Sequence, residues 1–161
     1  MKVVVRELEE TQNLAITLAN LLLEQQQKPL ILFEGNLGAG KTTFIRFFVH
    51  AFPQGKQAEV SSPSFNLLNI YPTQPEIAHF DLYRLQGEEL DTDLEEVLLS
   101  SKFIRLVEWS EHLPAYLNFA DWLKISFYLQ EKERILEFTA KGSMTNILSS
   151  FKKLISGKEV K

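Results

Sequence analysis

Gly35-Asn36-Leu37-Gly38-Ala39-Gly40-Lys41-Thr42 is the stretch that decides the fold of this chain. It satisfies G-x-x-x-x-G-K-[ST] at every fixed position, the pattern of a phosphate-binding loop. The flanks agree with it. Pro29-Leu30-Ile31-Leu32-Phe33-Glu34 reads as a buried strand leading in, and Thr43-Phe44-Ile45-Arg46-Phe47-Phe48-Val49 as a helix with a wide apolar face leading out. Glycines let the backbone curl until successive N–H groups point inward, and a helix N-terminus adds positive potential. Lys41 offers a mobile cation for the outer phosphates of a nucleotide, and the Thr42 hydroxyl a ligand for magnesium.

Outward from the loop, Lys2 to Leu8 alternates weakly, as an edge strand does. Glu10 to Gln27 carries Leu14, Leu18, Leu21 and Leu22 at helical spacing until Lys28-Pro29 stops it. Residues 54–64 form a polar connection. Phe65 to Tyr71 and Ile77 to Leu85 read as a hairpin around Pro72-Thr73-Gln74-Pro75. Glu88 to Ser100 is an acidic helix with Leu90, Leu94, Val97 and Leu98 as its buried stripe. Phe103 to Val107 is a second central strand that ends in Glu108, and Ser110 to Tyr116 a short helix. Trp122 to Leu129 and Arg134 to Thr139 pair across a charged turn, and Ser143 caps a last helix to Ile155. Interleaved helices and strands predict an α/β fold. The expectation is one P-loop NTPase domain over 1–155, with a mixed, mostly parallel central sheet flanked by helices. Residues 156–161 are expected to be a disordered tail, and the C-terminal lysines Lys152, Lys153, Lys158 and Lys161 read as a solvated, frayed end in preference to a local basic patch.

The 161 residues, 45% hydrophobic and 24% charged, suffice for one domain with a sizeable core. With no cysteine, disulfides and thiolate-bound metals are excluded. His50, His79 and His112 are too widely spaced for a zinc site. A net charge of −4 argues against a strong electrostatic grip on nucleic acid. Arg6 and Glu7 interrupt the apolar N-terminus at once, unlike a secretion signal. No apolar run approaches the ~20 residues that cross a bilayer. The cytoplasm is the expected location, with no membrane partner. Nothing in the sequence sets the oligomeric state.

Phosphate chemistry needs acids near a metal. Glu108 ends a strand that resembles a Walker-B strand with Glu in place of Asp, and carboxylates at neighbouring strand ends converge on the phosphate side of such sheets. Asp81 shares a strand face with His79 and Tyr83 if Ile77 to Leu85 is extended; its alternative role is a salt bridge with Arg84 or another cation. Ser61-Ser62-Pro63-Ser64-Phe65 follows the loop's helix, where a mobile switch segment commonly lies. Trp109, directly after Glu108, is a partner contact or lid in one reading and core in the other. No N-K-x-D guanine-reading motif and no L-S-G-G-Q run occur, so adenine is favoured and transporter-type ATPases are not.

G-N-L-G-A-G-K-T-T, S-S-P-S-F, H-F-D-L-Y-R-L and L-V-E-W occur in this order. Together they resemble the TsaE (YjeE-type) family of small bacterial P-loop ATPases, over roughly residues 10 to 140. The resemblance implies a part in forming threonylcarbamoyladenosine beside the tRNA anticodon. It implies an ATPase using ATP and Mg2+, one that neither makes nor transfers the threonylcarbamoyl group. Such a protein binds a TsaB–TsaD pair and supports its repeated turnover, meeting tRNA at most indirectly. Carried onto this sequence, Gly35 and Gly38, Ala39, Gly40, Lys41, Thr42 and Thr43 wrap the phosphates. Thr42, Glu108 and Asp81 hold or support the metal, and Lys41, Asp81 and Glu108 are catalytic. Ser62 to Phe65, with Ser64, form the switch, beside Trp109. Thr11 approaches the adenine, and either Lys132 or Arg134 touches the nucleotide. Two positions depart from the family pattern: Ser64 stands for a common Thr, and Ser110 for a common Pro.

Two other classes compete. A small-molecule P-loop kinase usually carries an arginine-rich lid, and the only comparable stretch here, Gln130 to Arg134, is short and mixed in sign. A nucleotide-responsive binding module would show no accumulation of ADP. Among the ATPase candidates for an in-chain arginine finger, Arg46, Arg84 and Arg105, none is singled out by its context, which favours slow turnover alone and stimulation by a partner.

Overall fold

In the computed structural model, which describes residues 1–159, β2 (Leu30–Glu34) lies at the centre of a seven-stranded sheet. Its neighbours are β5 (Ile104–Glu108) on one side and β6 (Trp122–Leu129) on the other, both parallel to it. A strand buried from Leu30 to Phe33 with apolar side chains on both faces suits this position. Beyond β5 come β4 (Ile77–Asp81), parallel, and β3 (Leu68–Tyr71), antiparallel to β4. Beyond β6 come β7 (Arg134–Lys141) and the edge strand β1 (Lys2–Val5), each antiparallel to its neighbour. The sheet is mixed, as expected, but parallel pairing is confined to its four central strands. The β3–β4 and β6–β7 hairpins and the pairing of β1 with β7 add the antiparallel pairs.

Helices α1 (Leu8–Glu24), α2 (Lys41–His50) and α4 (Met144–Glu159) cover one face. The expected leucine stripe of α1 is its buried face. The helix starts two residues earlier than its periodicity suggested, because Glu10 Oε2 accepts the amides of Arg6 and Glu7 in a capping box. On the other face α3 (Thr92–Leu99) and the connecting segments cover Leu30, Leu32, Phe80 and Val107. Here the expected helix over 88–100 is shorter: Gln86 and Gly87 take positive φ, and Asp91 stands at the helix N-cap. Ser110–His112 is one 3-10 turn rather than a helix to Tyr116. At the C-terminus α4 continues to Glu159, four residues into the stretch read as a tail; residues 160–161 lie outside the described residues.

Three rings beneath the glycine loop fix its base. Phe33 of β2, Phe44 of α2 and Phe127 of β6 are all buried, with centroids 6.0 to 6.3 Å apart. Such pairs add roughly 0.5–1.5 kcal/mol each beyond burial. They lock strand, helix and neighbouring strand into one unit, so the loop between β2 and α2 has fixed ends. No helix among the described residues is long and apolar enough to cross a membrane.

Candidate functional site

The turn between β2 and α2 has the backbone that phosphate wrapping requires. Gly35, Gly38 and Gly40 take φ of 142°, 78° and 107°, a region that side-chain-bearing residues rarely enter. Gly40 is the N-cap of α2, so the helix's first amides face the cleft at its end. Lys41, the first residue of the helix, is largely buried. Its Nζ donates to the Gly35 and Asn36 carbonyls, and lies 4.3 Å from the centre of the Trp109 ring. Burial lowers the affinity of this amine for its proton, and the carboxylates of Glu108, Glu111 and Asp81 act against that effect.

Thr42, Ser62 and Glu108 meet at the same point. Thr42 Oγ1 donates to Glu108 Oε1 at 2.9 Å and lies 2.7 Å from Ser62 Oγ, which donates to Glu108 Oε2 at 3.0 Å. Glu108 is buried at the end of β5, directly opposite Asp81 at the end of β4. Burial disfavours the ionised form of Glu108. The hydrogen bond and charge of His79, with the two hydroxyls, outweigh burial and hold its carboxyl below the usual range. Asp81 goes the other way: burial raises it, partly offset by the Tyr83 amide on Oδ1 at 2.9 Å, and the charge of Glu108 raises it further. Arg84 does not pair with Asp81 but stacks 4.3 Å over the Phe65 ring, and the ion pairs of the described residues do not include Asp81. Tyr83 leaves the shared face expected of it because β4 ends at Asp81. Its ring packs on Trp109 at 5.0 Å. Of the other arginines, Arg105 donates to the Leu98 carbonyl on the opposite face of the sheet.

A cleft of about 340 Å³ joins the glycine loop, Ser62, Ser64, Asp81, Glu108 and Trp109. Thr11, Thr43 and Arg134 line a small adjoining hollow beside Gly40. Arg134 Nε is buried there with no hydrogen-bond partner among the described residues, a donor that a bound polar group would satisfy. The hairpin register puts the two basic candidates in different places. Leu129 pairs with Arg134, which places Lys132 in the exposed turn, and Lys132 lines neither hollow. A larger hollow of about 880 Å³ lies at the far end of α2, around Phe52 and Lys56, and holds none of the expected site residues.

These features fit a nucleotide with a small hard cation. The loop offers amides and a cation, and the unpaired guanidinium nitrogen lies beside it. The cation ligands available are a hydroxyl and carboxylates at two strand ends. A hydroxyl with one or two carboxylates is the donor set that suits magnesium, which completes its shell from phosphates and water.

The strand–loop–helix geometry and the central parallel strands define a P-loop NTPase fold. The profile described as "Threonylcarbamoyl adenosine biosynthesis protein TsaE" matches residues 5–136. This chain therefore belongs to the TsaE family, whose role is in tRNA threonylcarbamoyladenosine biosynthesis. A relative from Rickettsia felis, named tRNA threonylcarbamoyladenosine biosynthesis protein TsaE, is 40% identical over 146 residues, 87% of this chain and 80% of its own. A relative of the same name from Haemophilus influenzae is 36% identical over 135 residues, 81% and 83% of the two chains. The crystal structure of YdiB from Bacillus subtilis superposes with a TM-score of 0.66 at 28% identity, over 99% of this chain and 95% of that one.

Two participants escaped the sequence reading. His79 was placed on the face of Asp81, but its partner is Glu108, 2.7 Å from Nε2. Tyr71, whose hydroxyl is 2.8 Å from His79 Nδ1, carried no local signal, because the contact depends on how β3 registers against β4.

Proposed function

We propose that this chain is an ATPase of the tRNA threonylcarbamoyladenosine machinery that hydrolyses ATP with magnesium to support repeated turnover of a TsaB–TsaD pair. The observation that carries the reading is the meeting of Lys41, Thr42, Ser62 and Glu108 at the N-terminus of α2. The amides of Gly38 to Thr43 bind the phosphates, and Lys41 turns from the Gly35 and Asn36 carbonyls towards the outer ones. Thr42 and Glu108 would hold magnesium, with Asp81 supporting it from the neighbouring strand end. When bound, magnesium neutralises charge on the phosphate oxygens. Asp81, whose burial favours the protonated form, accepts a proton from the attacking water more readily than an exposed carboxylate would. Ser62 and Ser64 form the switch beside Glu108. Trp109 covers Lys41 and limits the entry of bulk water. Thr11 approaches the adenine, and Arg134 touches the nucleotide from beside Gly40.

The test measures ADP and phosphate release by the wild type and by Lys41→Ala, each alone and mixed with a TsaB–TsaD pair. Slow turnover that needs Lys41 and rises with the pair is the expected result. Turnover indifferent to the pair refutes the coupling. Transfer of the γ-phosphate to a small-molecule acceptor instead of water makes the chain a kinase.

A further inference from the structure

Tyr71, His79 and Glu108 form a hydrogen-bonded chain across β3, β4 and β5 that phosphate binding alone does not call for. His79 is fully buried, and both ring nitrogens are engaged: Nε2 lies 2.7 Å from Glu108 Oε2, and Nδ1 2.8 Å from the Tyr71 hydroxyl. An apolar side chain would fill this interior position without the cost of burying an imidazole. The ring stands where a carboxylate needs an orientation. Glu108 sends Oε1 to Thr42 and Oε2 to Ser62 and His79. The two hydroxyls can rotate away to other partners. The imidazole cannot, because it is fixed by packing and by Tyr71. A half-turn of the ring about Cβ–Cγ would put a carbon where Nε2 stands, and the Tyr71 hydroxyl holds the ring against that turn.

We propose that His79, steadied by Tyr71, is a positioning residue that holds the Glu108 carboxylate in the orientation from which it serves the Thr42 hydroxyl and a cation there. The proposal rests on the nucleotide–magnesium reading above. Partners of this outer kind orient a ligand that they do not replace, and their loss typically costs ~10–100-fold in metal affinity or activity.

The geometry separates orientation from mere filling. A glutamine amide nitrogen reaches the place of Nε2, and an asparagine amide nitrogen only that of Nδ1. His79→Gln therefore keeps the donor to Glu108, and His79→Asn loses it. The measurement is titration of a nonhydrolysable ATP analogue with excess Mg2+ and, separately, with EDTA, alongside a melting curve for each variant. The readout is the magnesium-dependent gain in affinity. His79→Asn should lose about tenfold or more of that gain, Tyr71→Phe roughly threefold, and His79→Gln less than about threefold. EDTA affinities should stay within about twofold of wild type, since the phosphate loop is untouched. Equal gains in His79→Asn and wild type overturn the proposal, as do equal losses in the Asn and Gln variants. If His79→Asn does not fold, Tyr71→Phe decides: an unchanged gain overturns the proposal, and the stated loss upholds it. A wild type without any magnesium-dependent gain refutes the parent reading and this proposal with it, which distinguishes the two failures.

Discussion

Substituting alanine for Gly35 and, separately, for Gly38 distinguishes two costs that the glycine loop bears. Both residues have positive φ, 142° and 78°. A Cβ on Gly38 would meet nothing within 4 Å, so Gly38→Ala carries backbone strain alone. Left-handed alanine costs about 1–2 kcal/mol, and the restricted unfolded chain returns ~0.4–1 kcal/mol, so a net loss of about 1.6 kcal/mol or less is expected. A Cβ on Gly35 would lie 2.8 Å from the Phe127 carbonyl oxygen and 3.0 Å from Phe127 Cβ. Neither atom is the free end of a flexible side chain, and Phe127 is clamped between Phe33 and Phe44. Strain in a nearly glycine-only region plus overpacking brings the Gly35→Ala loss to roughly 3 kcal/mol or more. Urea unfolding followed by circular dichroism measures both. With a slope of ~2 kcal/mol per molar, the midpoint falls by roughly 1.5 M or more for Gly35→Ala and ~0.8 M or less for Gly38→Ala. Equal shifts would refute the argument that contact with β6, rather than loop conformation alone, demands glycine at 35.

Arg134→Ala should weaken ATP-analogue binding by ~10–100-fold, the worth of one charge-assisted hydrogen bond, whereas Lys132→Ala should stay within about twofold; calorimetric titration separates them. Asp81→Asn should raise the melting temperature at neutral pH by ~2–4 °C, on the order of 1 kcal/mol for a domain this size, and lower turnover. Its sign follows from the raised affinity of buried Asp81 for its proton: above that raised value the charge destabilises the fold, and acidification relieves it. Glu108 has the opposite sign. Its lowered value makes its contribution complete above the ordinary carboxylate range and lost as pH falls through that lowered value, so the stability deficit of Glu108→Gln should be largest near neutrality and shrink in acid, by melting curves across pH. Phe44→Ala should cost about 3–5 kcal/mol by chemical denaturation, through the cavity it leaves under the loop.

What was legible in the sequence lies in local pattern. The fixed spacing from Gly35 to Thr42 identified loop, strand and helix together, and an apolar run closing on Glu108 marked the strand beside it. Alternation placed His79 and Asp81 on one face, as found. What was not legible depends on pairing between distant segments. Whether Lys132 or Arg134 faces the loop follows from one register, Leu129 against Arg134. Tyr71 reaches His79 because β3 lies antiparallel to β4, which no spacing within either strand reveals. Element ends were misjudged where a single backbone angle decides. Apolar Leu90 extended the helical pattern of α3 backwards to Glu88, yet it is buried in a turn-rich segment before the helix begins at Thr92.

Trp109 follows Glu108 with φ of 57°, and that turn swings its indole to 4.3 Å from the Lys41 ammonium. The chain has one other tryptophan, Trp122, at the start of β6. Indole emission responds to a nearby charge, so a Trp122→Phe protein carries a single indole, at the mouth of the cleft, that can be excited apart from the tyrosines. Any event that moves the lysine away changes the field across that ring and with it the colour of the emitted light. The site thus holds its own optical gauge, readable in a stopped-flow cuvette without a dye, a tag or a modified nucleotide.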